Sequence, residues 1–200
     1  MADIIYTLNN KPYLNITNQC PCACVFCLRG EQEGVGSAAS LWHTNDPTWE
    51  EIERALEGFD FSRATEAVFC GYGEPYCALD NLKHTARWLR ERYPGLPLRI
   101  NTNGLGDLVN NRPTARELDG LVDCLSISLN APNAERYDEL CRSTFGTAAY
   151  DAMLRFAAEA KEIFPKIVLS VVDIITVEEI EQCRAIAEGM GVGFKVRHRT

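Results

Sequence analysis

Cys20, Cys24 and Cys27 follow one another in the order C-x3-C-x2-C, directly after a strand-like segment at residues 13–17. Three closely spaced thiolates in a loop suit an iron–sulfur cluster, and a 4Fe–4S cube has one iron more than they can hold. An iron without a protein ligand is an open position, and open metal positions mark catalysis where closed ones mark scaffolding. Zinc is the competing occupant, but it prefers four protein ligands arranged as two separated pairs. His43, His84 and His198 are scattered, and Cys70 and Cys77 flank a glycine turn rather than forming a close pair. Cys22 sits inside the first spacing and competes as a ligand. Spacing alone leaves cluster and zinc both open.

The elements that must position these residues alternate in type. A polar, glycine-containing stretch at residues 31–45 reads as a long functional loop. Asp46-Pro47 then reads as a helix opening, with Asp as cap and Pro in the first turn. Trp49, Ile52, Leu56 and Phe59 recur at helical spacing, and the apolar run 67–70 follows as a buried strand. The stripe Leu82, Ala86, Leu89 and Tyr93 leads to a strand at 98–101, and a short helix at 116–121 leads to a strand at 124–129. Helices at 134–141 and 147–164, a strand at 167–172, a helix at 177–188 and a strand at 193–196 complete the pattern. In the second of those helices Met153, Phe156, Ala160 and Ile163 share a face. Strands alternating with helices imply parallel pairing through right-handed crossovers. About six such units are visible, so the expected fold is α/β: an incomplete (β/α)6 TIM-like barrel, open on one side, in a single domain over residues 1–200.

Chemistry in such folds gathers at the C-terminal ends of the strands. Here those ends read Thr17-Asn18, then Gly71-Tyr72-Gly73-Glu74-Pro75, then Asn101-Thr102-Asn103-Gly104, then Ser126, Ser128 and Asn130, then Asp173, then Arg197-His198. Turn chemistry explains part of this polarity, since Asn and Gly favour strand ends. It does not explain a Glu fixed between Gly and Pro.

Composition sets outer limits. Hydrophobic residues at 46% and charged residues at 24% are ordinary for a globular protein. A net charge of -8 argues against broad, sequence-independent nucleic-acid binding. No apolar stretch approaches the roughly 20 residues of a spanning helix, and residues 1–10 carry no secretory pattern. Nine cysteines, an odd number without export, point to a reducing cytoplasm rather than a disulfide framework.

Cys20-x3-Cys24-x2-Cys27 after the first strand, with Phe26 before the last cysteine, resembles the radical S-adenosylmethionine (SAM) superfamily. Gly71-Tyr72-Gly73-Glu74-Pro75 matches that superfamily's Gly-Gly-Glu-Pro element except for Tyr72 in the first glycine position. Phe69 to Pro75, Ile100-Asn101-Thr102-Asn103-Gly104, Ser126 to Pro132 and Leu140-Cys141-Arg142 are further similar to the small TatD-associated radical SAM proteins. The resemblance implies a 4Fe–4S cluster on Cys20, Cys24 and Cys27, with SAM on the fourth iron. It implies that one electron, from a donor such as flavodoxin or ferredoxin, cleaves SAM to a 5′-deoxyadenosyl radical that abstracts hydrogen from a substrate. It places Gly71, Tyr72, Gly73, Glu74 and Pro75 at the SAM amino group, glycine by close backbone approach and Glu74 by a charge-assisted bond. Asn101, Asn103, Ser128 and Asn130 become candidates for the ribose and methionine carboxylate, with strand-end capping as their alternative. Phe26 would cover the cluster or pack near adenine, and Arg197 would meet the adenine edge through its backbone.

Six cysteines remain. Cys70, Cys124 and Cys183 read as buried small hydrophobes, and Cys22 and Cys77 lie near the site by sequence. Cys141 is the candidate catalytic thiol, facing the cavity as hydrogen donor or covalent carrier, with Arg142 beside it for an anionic group. Lys83, Arg87 and Arg90 read as a solvated helix face, whereas Lys195, Arg197, His198 and Arg199 are better placed for an anionic substrate. Three functions compete. One is a radical enzyme acting on a small metabolite or modified nucleotide, another an activase that makes a glycyl radical on a partner protein. The third is a non-enzymatic iron–sulfur or zinc module, which has no use for Gly73-Glu74-Pro75. With no second cysteine-rich cluster region and no cobalamin module in the chain, auxiliary-cluster peptide maturation and cobalamin-dependent methylation are not expected.

Overall fold

The computed structural model describes residues 2–199. Its residues fall into two compact units. One holds the chain up to Cys20, Leu28–Asn101 and Gly120–Asp123; the other holds Pro21–Cys27, Thr102–Asp119 and the chain from Cys124 onward. The class is α/β, with seven strands, mostly parallel, in a sheet that is not closed.

In the first unit, β1 (Ile5–Leu8) and β2 (Lys11–Leu14) form an antiparallel hairpin. Its two-residue loop is Asn9-Asn10, with φ of 51° and 60°, the left-handed pair that a tight hairpin of the right twist requires. The sequence pattern predicts six strands and does not include β1. Four residues of mixed polarity carry little periodic signal, and the Asn-Asn pair that closes them was not read as a turn. β3 (Ala67–Phe69) lies parallel to β2, and β4 (Leu98–Thr102) parallel to β3. Leu14, Phe69 and Ile100 fall in one register row and are fully buried. So are Ile52 and Leu56 of α1 (Trp49–Glu57) and Leu82, Ala86 and Leu89 of α2 (Leu79–Arg92), which complete the core of this unit. The neighbouring row, Tyr13–Val68–Arg99, carries polar groups.

Helix α1 does not open at Asp46-Pro47. Its N-cap is Thr48, whose hydroxyl accepts from Glu51 N while the Glu51 carboxylate accepts from Thr48 N, a reciprocal capping box. That pairing satisfies two orphan N–H groups where Asp46 would satisfy one, and it leaves Asp46 for another task.

In the second unit, β5 (Cys124–Ser128), β6 (Lys166–Val172) and β7 (Gly193–Arg197) are parallel neighbours. Ser128, Ser170 and Lys195 form one row, and Val172 pairs with Arg197 above it. The helices are α3 (Gly106–Asn110), α4 (Ala134–Cys141), α5 (Ala148–Lys161) and α6 (Val177–Met190). Met153, Phe156 and Ala160 of α5 are buried as expected, whereas Ile163 lies beyond the helix end and is half-buried. The expected short helix at 116–121 is a 3-10 turn over Ala115–Leu118, and α3 was not anticipated. Among the described residues no helix is long and apolar enough to cross a membrane.

Candidate cofactor site

The segment leading into Cys20 is fixed by a residue far along the chain. Asp46 accepts from Thr17 Oγ1 at 2.7 Å, Asn18 N at 2.8 Å and Gln19 Nε2 at 2.6 Å. Burial opposes its ionisation, but the bonds from Asn18, Thr17 and Gln19 outweigh burial and hold its carboxyl below the usual range. Asn18 is tied in turn to His43, its Nδ2 donating to His43 O at 2.7 Å. The long loop thus returns to brace the end of β2. Asp46 was missed as a site residue because Asp before Pro reads as a helix cap; the hint was the polar run Thr17-Asn18-Gln19, which needs partners.

Against this braced segment lies the turn after β3. Glu74 N donates to Gln19 O at 2.8 Å. A Cβ on Gly73 would stand 2.2 Å from Thr17 O and 2.8 Å from Gln19 O, so only glycine lets the two main chains approach. A Cβ on Gly71 would meet Asn15 Oδ1 at 2.0 Å. That oxygen receives Tyr72 N at 3.3 Å, while Asn15 Nδ2 donates to Leu41 O at 2.9 Å. Both glycines are therefore required by packing of the turn on residues 15–19, immediately before the first cysteine. Glu74 is 4% exposed, and its Oε1 accepts from Tyr76 N at 3.2 Å, capping a 3-10 turn over Pro75–Ala78.

Tyr72, which replaces a glycine of the family pattern, is 5% exposed. Its hydroxyl donates to Gln32 O, its ring meets Trp42 edge-on at 5.2 Å, and it packs with Tyr6 and Leu41. Its carbonyl receives Arg29 Nη1 at 3.5 Å. The side chain thus fastens the 29–42 loop to the turn. Burial pushes the neighbouring Cys77 thiol up to about 12, with the charges of Glu74, Cys20 and Asp46 adding to it. Cys70, expected to be buried, is only half-buried. Asn101 has its Oδ1 held by Arg99 Nη1 at 2.6 Å, and Arg99 is itself held by Glu66, which also takes Lys11 at 2.8 Å.

In the second unit the loop Pro21–Cys27 is laid along the end of α4. Ala23 N donates to Cys141 O at 3.1 Å, Val25 N to Leu140 O at 2.9 Å and Thr144 N to Pro21 O at 2.8 Å. Cys22 is turned inward, 4% exposed, bridged to Ser143 and contacted by Asn103 Nδ2 at 3.7 Å. Cys24, Phe26 and Cys27 are half-buried, and Cys27 N donates to Cys24 O at 3.1 Å, so the last two cysteines flank one turn. Asn103 Oδ1 accepts from Leu105 N at 2.9 Å, a turn role beside its contact with Cys22.

Ser128 Oγ accepts from Arg197 Nη2 at 2.8 Å, so Arg197 enters through its side chain as well as its backbone. Asn130 has φ 56° and is 5% exposed; its Nδ2 donates to Cys141 Sγ at 3.7 Å, and its buried Oδ1 has no partner. Cys141, expected to face the cavity, is 1% exposed: it ends α4 with its sulfur on Asn130 and its carbonyl on the cysteine loop. Arg142 is exposed in the left-handed region, φ 47°. Of the expected cationic group, His198 pairs with Asp173 at 2.7 Å and Arg199 N donates to the same carboxylate at 2.9 Å. Lys83 pairs with Asp80, and Arg90 is committed to Leu121 O, Leu96 O and Asp123. Only Arg87 of that trio remains near the solvated face the sequence suggested.

These residues suit the implied cofactors. The first unit presents Cys20 with a glycine cradle and a buried carboxylate braced beside it; the second presents two thiols on one turn and an orphaned amide oxygen that calls for a hydroxyl donor. Among the described residues no three His, Cys, Asp or Glu side chains are gathered for a single metal ion.

The Radical SAM superfamily description matches residues 14–188. No curated protein matches the chain. Among solved structures, SuiB of Streptococcus suis bound to its precursor peptide SuiA is similar with TM-score 0.69 and 16% identity, over 92% of this chain and 38% of that one. SuiB bound to S-adenosylmethionine gives 0.67 and 17%, over 94% and 40%. A radical SAM methyltransferase from Sphaerobacter thermophilus gives 0.60 and 17%, over 97% and 68%. The methyltransferase TsrM of Kitasatospora setae, with cobalamin and a [4Fe-4S] cluster bound, gives 0.52 and 11%, over 89% and 32%. This chain therefore spans about two fifths of SuiB and a third of TsrM. The match over residues 14–188, on a shared fold, makes the chain a member of the radical SAM superfamily, whose cofactors are a 4Fe–4S cluster and S-adenosylmethionine.

Proposed function

We propose that this chain is a radical SAM enzyme core over residues 1–200, of the small TatD-associated type, working in the cytoplasm with a flavodoxin- or ferredoxin-like donor. The observation that carries the reading is the main-chain bond from Glu74 to Gln19, with Gly73 pressed on Thr17. That bond holds the Gly73-Glu74-Pro75 turn next to the first cysteine, which supports its reading as the amine-binding turn. Cys20, Cys24 and Cys27 would hold three irons of the cluster. The Gly73 carbonyl and the Glu74 carboxylate accept from the SAM amino group, and Pro75 stiffens the turn behind them. Asn130 Oδ1 accepts from a ribose hydroxyl, with Ser128 and Arg197 bonded to each other at the strand ends; Asn101 and Asn103 are further candidates for the ribose hydroxyls and the methionine carboxylate. Phe26 shields the cysteine turn from water. When bound and reduced by one electron, the cofactors would supply a 5′-deoxyadenosyl radical for hydrogen-atom abstraction from the substrate, with methionine as the other product.

The proposed substrate is a small metabolite or modified nucleotide. A peptide or partner protein is the second reading, favoured by the likeness to a SuiB structure that holds a precursor peptide. After anaerobic reconstitution and dithionite reduction, 5′-deoxyadenosine is expected from SAM; none from protein carrying a full cluster contradicts the enzyme reading. Deuterium-labelled cell fractions then separate substrates. Label entering 5′-deoxyadenosine from the small-molecule fraction supports the metabolite, and label arriving from the macromolecular fraction alone supports the polypeptide.

A further inference from the structure

Asn130 and Cys141 make a pair in the second unit whose geometry assigns the thiol a task. Asn130 follows β5 in the left-handed region, and 5% of it is exposed. Its two amide atoms have different surroundings: Nδ2 donates to Cys141 Sγ at 3.7 Å, whereas the buried Oδ1 has no partner. A carboxamide has a donor side and an acceptor side, so whatever holds one side decides what the other offers. A sulfur that accepts from Nδ2 leaves an acceptor on the opposite side of the amide, which suits a hydroxyl and repels a carboxylate. A buried acceptor left unmet is unfavourable until a donor arrives.

Cys141 itself is 1% exposed, and its sulfur is taken up by Asn130 Nδ2. It is also joined to the cysteine loop, because its carbonyl receives Ala23 N, one residue before Cys24. The same residue thus touches the loop that carries two cluster cysteines and the side chain at the end of β5.

We propose that Cys141 is a positioning residue for nucleoside recognition: it fixes the Asn130 carboxamide so that Oδ1 meets a ribose hydroxyl of SAM. This rests on the radical SAM reading above. It replaces hydrogen-atom donation or covalent catalysis as the role of this thiol.

Calorimetric titration of cluster-loaded protein with SAM, and separately with methionine, tests it. Methionine carries the same amino and carboxylate groups without the nucleoside. Cys141→Ala is expected to weaken SAM binding roughly five- to tenfold, the size of one net hydrogen bond, with methionine affinity and iron content unchanged. Cys141→Val fills the site with an apolar side chain one methyl group larger and must reproduce that selective loss, while Cys141→Ser restores SAM affinity to within about twofold. Wild-type SAM affinity in both Ala and Val variants overturns the proposal, as does an equal loss for SAM and methionine, which marks a purely structural role. A serine variant that binds SAM normally yet forms no product from substrate would assign the thiol to chemistry instead. Wild-type protein with a full cluster that binds neither probe would instead remove the radical SAM reading itself.

Discussion

Gly73 has main-chain oxygens on its crowded side, and neither is the flexible end of a side chain. The nearest, Thr17 O, is 2.2 Å from where a Cβ would stand. Thr17 is also held by Asp46, so the segment cannot retreat without breaking charge-assisted bonds. Gly73→Ala is therefore expected to cost about 1–3 kcal/mol, the range of an overpacked buried site. It should also displace Glu74 enough to abolish SAM binding. Urea denaturation and SAM titration check both, and wild-type values in either contradict the cradle. At this scale the sequence was informative where function demands local spacing: the cysteine triplet and the Gly-Tyr-Gly-Glu-Pro run are contiguous. It was silent where a residue works at long range, as Asp46 does across 27 to 29 positions to Gln19, Asn18 and Thr17.

Among the elements, α4 falls on the expected residues 134–141, with Asn133 capping its start and the left-handed Arg142 ending it. The β1 hairpin was not, since its partner strand lies across a turn of two asparagines rather than the more telling Asn-Gly. The start of α1 was misplaced because two caps competed and the reciprocal one won. The polar row of the first unit carries its own prediction. Burial opposes ionisation of Glu66, but hydrogen bonds and charge from Arg99 and Lys11 overcome it and lower its pKa. A depressed folded value means stability that is fully present above the ordinary glutamate value of about 4.3 and lost as pH falls below it. The melting temperature of the wild type should accordingly fall more steeply below about pH 4.3 than that of Glu66→Gln. Parallel slopes from neutral to acidic pH contradict an ionised Glu66 bridging the two cations.

For the whole molecule, two short motifs sufficed to read the superfamily, because a cofactor's ligands are drawn from a few strand ends and leave their spacing in the sequence. Substrate leaves no such mark: it is recognised by side chains collected from many strands, and the net charge of -8 excludes only broad polyanion binding. Nine cysteines, none of them in a disulfide, make ligand choice the central issue. Cys20, Cys24 and Cys27 are half-buried, and Cys22 is turned into the second unit's interior beside Ser143 and Asn103. The direct measurement is electron paramagnetic resonance of the reduced cluster, with and without SAM, in wild type, Cys22→Ala and Cys24→Ala. A reduced 4Fe–4S signal and a SAM-induced change of that signal are expected in wild type and Cys22→Ala, with both lost in Cys24→Ala. A full, SAM-responsive cluster in Cys24→Ala, or its loss in Cys22→Ala, would contradict the ligand assignment.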